Sequence, residues 1–209
     1  MRARARLLLR ERRIVGESGF ADIVIWQLPN PLPGSSHGFK YRLAFVVDQL
    51  CVLRFDNETG KGDHKHIGAD EVPYDFTTFG STGDGFLERD RRMEPSVSTV
   101  TIGIAAMEDT KARMLRAFQG ERQGAFISFA TVELLWKVIT PKRWEVLLAL
   151  TGAGPIAIRE VSRRVGRDVK SVHGDIQVLL KAGVVERADD GRILFPYNEI
   201  HVDFVLRAA

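Results

Sequence analysis

The chain has 209 residues, 44% of them hydrophobic and 27% charged. That is the composition of a soluble globular protein with one large or two small domains. Apolar runs such as residues 146–150 are too short to cross a bilayer, so no membrane partner is expected. A single cysteine, Cys51, excludes an internal disulfide, and the Arg-rich start lacks the apolar core of a leader peptide; together these read as a cytoplasmic protein. A net charge of +3 permits a nucleic-acid partner without requiring one.

Taken in chain order, residues 7–15 and 20–26 read as a hairpin turning between Gly16 and Gly19. The Pro/Gly/Ser stretch 29–38 breaks the pattern. Residues 39–47 and 50–55 form a second hairpin at Asp48-Gln49, with Leu43, Phe45 and Val47 marking one face. A four-stranded antiparallel meander is predicted, whose apolar face needs a cover. For the run Arg2 to Arg13 two readings stand, a grip on RNA phosphates through charge and a solvated strand edge guarding against aggregation, and the second is preferred. Residues 56–73 are polar and glycine-punctuated, and read as a surface loop. Residues 80–96 read as a linker, dividing the chain into domains 1–79 and 97–209.

The second domain opens with a strand at 99–104, a helix at 109–119 and a strand at 126–129. Helical faces follow, one with Val132, Leu135, Trp136 and Ile139, the next with Trp144, Leu147 and Leu148 after a Thr140-Pro141 start. A short helix carrying Ile158, Val161 and Val165 ends at Gly166. Another begins at Asp168 and carries Val169, Val172, Ile176, Leu179 and Leu180 to Gly183. Residues 184–187 and 192–195 then flank Asp189-Asp190-Gly191, a hairpin turn. Helix, helix, helix, hairpin is the order of a winged helix-turn-helix, and the fold class is α+β. Arg167, Lys170, Ser171, His173 and Gln177 are placed to read DNA bases, and Arg159, Arg163 and Arg164 to hold phosphates. A homodimer or larger homo-oligomer on promoter DNA is expected.

Residues 97–206 resemble the antitoxin TumA of the TumE–TumA toxin–antitoxin family, through 166–183, 100–104 and 197–203. Residues 4–79 resemble the toxin TumE, through 34–42 and through 53–57 continuing into 60–68. The resemblance weakens after Phe76, where the family continues into an amphipathic helix. It implies a ribonuclease toxin, an antitoxin that masks it, and repression of the pair's own promoter.

The residues suit such chemistry. Cleavage of RNA without a metal needs a base for the 2′-hydroxyl, an acid for the leaving oxygen and a cation on the phosphate. His64 and His66 titrate near neutrality, and in an extended segment both point the same way. Lys61, Lys65 or Arg54 can stabilise the phosphate charge, Asp63 or Asp56 can orient an imidazole, and His37, Lys40 and Tyr41 can approach the substrate. No metal or cofactor is assigned. The competing arrangement places Asp63, His64 and His66, with His37, around a transition metal. The alternative function is a non-enzymatic winged-helix regulator with a ligand- or metal-sensing first domain.

Overall fold

Apolar residues at alternate positions build β1 (Arg6–Ile14), β2 (Gly19–Gln27), β3 (Phe39–Val47) and β4 (Leu50–Glu58) as an antiparallel meander. The computed structural model describes residues 4–68, 70–74, 76, 98–203 and 205, so the linker expected at 80–96 lies outside the described residues. At the β3–β4 turn Asp48 and Gln49 adopt φ of 48° and 66°, the left-handed pair that a tight hairpin requires. The segment expected to be a surface loop instead extends the sheet. It contributes β5 (Gly62–Ile67) and β6 (Asp70–Pro73), both antiparallel to their neighbours.

Beyond 97 come β7 (Thr99–Ile104), α1 (Met107–Phe118), β8 (Gly124–Phe129), α2 (Val132–Val138), α3 (Pro141–Leu150), α4 (Ile158–Val165), α5 (Val169–Lys181), the short hairpin β9 (Glu186–Arg187) and β10 (Ile193–Leu194), and β11 (Glu199–Asp203). Asp168 caps α5 by accepting from the Ser171 amide at 2.9 Å, and Gly166 ends α4 in a left-handed conformation. Helices α3, α4 and α5 pack on one another, and Ile156 bridges Ile193 beside the hairpin. Three expected core residues lie outside: Trp136 and Leu148 are more than half exposed, and Val169 is exposed at the start of α5.

The two halves share one sheet. Its nine strands run β11-β7-β8-β1-β2-β3-β4-β5-β6. The join is a parallel ladder between β1 and β8, from Leu9 opposite Gly124 to Ile14 opposite Phe129. On one side of the join, α1 covers β1 and β2. There Glu11 is fully buried and accepts from Arg113 at 2.6 and 2.8 Å, Thr110 at 2.8 Å and Ser128 at 2.9 Å. Arg13 donates to the carbonyls of Ala105 and Ala106. On the other side the winged helix docks. Arg12 donates to the Gly183 carbonyl at 2.8 Å, and Glu186 pairs with Arg10 and Arg12 at 3.0 and 3.1 Å. Arg10, Arg12 and Arg13 therefore lie in a buried junction and not on a solvated edge, whereas Arg4 and Arg6 are exposed and residues 2–3 lie outside the described residues.

Gly183 shows how close this docking is. Its φ is +75°, and a Cβ there would lie 2.6 Å from the Phe20 ring, so only glycine fits. Glu11→Ala leaves the Arg113 guanidinium buried beside no carboxylate, and should destabilise the chain by about 3–5 kcal/mol in urea unfolding. Glu11→Leu combined with Arg113→Met should recover most of that loss; a single variant as stable as the parent would contradict the junction.

Candidate active site

Strand register sorts the charged residues of the first half onto two faces. Arg12, Asp22, Ala44, Arg54, His66 and Glu71 stand directly opposite one another from β1 to β6. Beside them runs a second row with Arg10, Val24, Arg42, Asp56 and His64. This face is also the one on which the winged helix docks. Asp63 and Lys65 fall on the opposite face, because side chains alternate along β5.

On the first face His64 is buried, 3% exposed, with Nε2 2.9 Å from Asp56 Oδ1 and Nδ1 3.1 Å from the Gly62 carbonyl. That carbonyl can only accept, so Nδ1 carries a hydrogen and Nε2 faces the carboxyl. Burial pushes the Asp56 carboxyl above its ordinary pKa, against the pull of Arg54, His64, Lys40 and His66. Neither Asp56 Oδ1 nor His64 Nε2 makes a well-directed hydrogen bond among the described residues, so both retain capacity for a ligand.

His66 differs. Arg54 donates to its Nε2 at 2.7 Å, which makes that nitrogen an acceptor and the ring neutral. Burial, then the Arg54 charge, lowers the His66 pKa below its ordinary value. The two rings meet edge to face with centroids 5.1 Å apart. One histidine thus faces a buried carboxyl while its neighbour holds a bare nitrogen. Arg54 also lies 3.2 Å from Asp56, and Lys40 donates to the Asn57 carbonyl on this side. Lys61 pairs with Glu71 at 2.9 Å at the exposed rim.

The opposite face gathers the remaining expected residues. Asp63 accepts from Tyr41 Oη at 2.7 Å, His37 Nε2 at 3.1 Å and Ser35 Oγ at 3.4 Å. Burial opposes ionisation of Asp63, yet the His37 and Tyr41 hydrogen bonds hold its pKa below the usual range. Burial and the Asp63 bond push the Tyr41 phenol far up, so it stays a neutral donor. The aromatic rings of His37, Tyr41, Phe76 and Phe118 close over this group, with Phe118 supplied by α1. Its effect on the first face is positional: it anchors the start of β5, where Gly62 (φ +73°) leaves no room for a Cβ against the Gly34 carbonyl.

Arg42 and Glu71 were not singled out from the sequence. Alternation from Lys40 would have found Arg42, which pairs with Asp22. Glu71 was hidden by the loop reading. A metal could be held by Asp56, His64 and His66, whose ligand atoms lie within 4.8 Å of one another. Two imidazoles and a carboxylate suit a transition metal, and the Gly62 carbonyl behind His64 is the usual outer support. His37 and Asp63, expected in that set, are on the far face, and the Arg54 guanidinium stands at His66 Nε2 in a metal's place.

On the winged helix Lys170, Ser171, His173 and Arg159 are exposed, and Gln177 lies 3.3 Å from His173. Arg163 and Arg164 are at the surface, both paired with Glu160. Arg167 is turned inward, donating to Asp175 and the Lys142 carbonyl. The sheet contacts fall at the C-terminal end of α5 and in β9, leaving the N-terminal half of α5 uncovered.

His66 should titrate below the ordinary histidine value in imidazole 15N–1H spectra, with Nε2 unprotonated at neutral pH. Arg54→Ala removes a repelling charge, so the midpoint should rise; an unchanged midpoint would contradict the Arg54–His66 contact.

Residues 4–93 match the family model described as Toxin TumE, and residues 138–202 match the one described as HVO_A0114. No curated protein and no solved structure matches the chain. No helix among the described residues is long and apolar enough to cross a membrane. Over these two stretches the chain is similar to the TumE toxin family and to the HVO_A0114 family.

Proposed function

We propose that the chain is a fused toxin–antitoxin protein: a metal-independent endoribonuclease held inactive by its own winged-helix domain, which also represses its promoter. The carrying observation is the asymmetry of the histidine pair. His66 is neutral with its lone pair on Nε2, and His64 Nε2 stands 2.9 Å from the Asp56 carboxyl. In the reaction, the RNA phosphate draws Arg54 away from His66. His66 Nε2 then takes the 2′-hydroxyl proton as that oxygen attacks phosphorus. The bond to the 5′-oxygen breaks, and that oxygen receives the proton held by His64 and Asp56. Arg54 and Lys40 balance the charge that builds on the phosphoryl oxygens.

Masking follows from the docking face. The winged helix sits on the same side of the sheet as the histidines, while Lys170, Ser171, His173 and Gln177 remain outside for DNA. A homodimer on paired half-sites would complete the repressor. The alternative reading, a regulator whose first domain senses a metal, draws support from the Asp56, His64 and His66 cluster.

The test keeps the chain whole, lifts the winged helix from the sheet face with Gly183→Val, and assays cleavage of cellular RNA with and without EDTA. Cleavage should appear only in that variant, persist in EDTA, and vanish when His64→Ala/His66→Ala is added. Loss in EDTA would transfer the chemistry to a bound metal. No cleavage by a folded Gly183→Val chain would favour the regulator. On promoter DNA, Lys170→Ala and Gln177→Ala should each weaken binding by ~1–3 kcal/mol; unchanged affinity in both would remove α5 from base recognition.

A further inference from the structure

The face that carries the histidines also carries an excess of positive charge. Arg10, Arg12, Arg42 and Arg54 all project from it, against the carboxylates of Asp22 and Asp56; Glu71 at the rim is taken up by Lys61. Burial disfavours the Asp22 carboxylate, but Arg12 and Arg42 together hold it well below the usual range, so one carboxylate serves two guanidiniums. Arg12, Asp22, Ala44, Arg54 and His66 are direct cross-strand neighbours, so the row crosses four strand spacings, roughly 19 Å at ~4.8 Å each. A single-stranded RNA lying along that line would carry several phosphates past these cations and bring one to the histidine pair.

The winged helix meets the row at its inner end, on β1 beside the junction with β8. Its Glu186 carboxylate touches both Arg10 and Arg12, with all three side chains no more than 16% exposed. Its contacts on this face also include Phe20 beneath Gly183, Asp48 at 3.9 Å from Lys181, and the Tyr197 ring 5.8 Å from the Arg10 guanidinium. Glu186 thus meets the row where a phosphate would, as an oxyanion shared by two guanidiniums.

The geometry points to a backbone-binding track for single-stranded RNA, running from Arg10 and Arg12 through Arg42 to Arg54 and His66, with Glu186 occupying its inner end in place of a phosphate. This rests on the ribonuclease reading above. The winged helix then inhibits by competing for substrate along the track, and the histidines need not be plugged. Single-stranded RNA and the docked winged helix exclude each other at Arg10 and Arg12.

The experiment measures binding of a fluorescein-labelled unstructured RNA to the full chain by anisotropy at fixed salt, with cleavage followed in parallel. Glu186→Gln should tighten RNA binding on the order of tenfold, and adding Arg10→Gln should remove that gain. Gly183→Val, which lifts the winged helix from Phe20 and keeps the Glu186 charge, should raise RNA affinity in the same Arg10-dependent way. Thermal unfolding and affinity for duplex DNA report whether the winged helix of each variant is still folded. A folded Glu186→Gln chain that binds RNA no better than the parent, together with an unchanged Gly183→Val chain, overturns the proposal. Tighter binding without any cleavage supports the track and removes the catalytic reading. Cleavage by the parent that neither variant alters overturns the track alone.

Discussion

The parallel ladder between β1 and β8 is the constraint on which the rest of the molecule depends. A strand has two faces and two edges, and β1 uses all four. One edge pairs with β2 and the other with β8. One face sends Glu11 and Arg13 into α1, and the other sends Arg10 and Arg12 to the winged helix. Without β8, that edge would expose unpaired amides and carbonyls, an invitation to aggregation. Without α1, Glu11 would be a charge with no partner, and Phe118 would no longer close over Phe39 and Tyr41. The second half is therefore part of the first half's fold as well as its neighbour.

The same period of two that builds the sheet divides its chemistry. His64 and His66 share one face with Asp56 and Arg54, whereas Asp63 and Lys65 share the other. The first face holds groups with contrasting protonation, and the second is a closed aromatic and carboxylate anchor. Their division explains how six consecutive residues can contain both the reactive pair and the group that fixes its strand. It also places the reactive pair on the side where the winged helix docks.

Much of this was legible in the sequence. β-rich runs around a glycine link found β1 and β2, alternation supported the β3–β4 hairpin, and caps, glycines and stripes found α3, α4, α5 and the hairpin after them. Strands β5 and β6 were not legible, because a strand polar on both faces, such as Gly62-Asp63-His64-Lys65-His66, carries no hydrophobic period. The arginine-rich start was misread for a related reason. Charges look solvated until their partners are known, and Glu186, Arg113 and Ala105 lie some 90 to 180 residues further along the chain. Alternation alone already set Lys65 against the two histidines, but His37 and Tyr41 were grouped with them because sequence proximity carries no information about which face a neighbouring strand presents. Trp136 and Leu148 satisfied a helical period yet face outward, since the period marks a stripe without saying that anything covers it.

The central claim is that both halves form one cooperative sheet joined at β1 and β8. Native-state amide hydrogen exchange measures this directly, by reporting the opening free energy of each strand. The account predicts that amides of residues 10–13 and 125–128 open with the same free energy as β2 and β3, and lose protection together as urea is added. If β7, β8 and the winged helix opened as a separate, weaker unit while β1 to β4 stayed protected, the joined sheet would be contradicted.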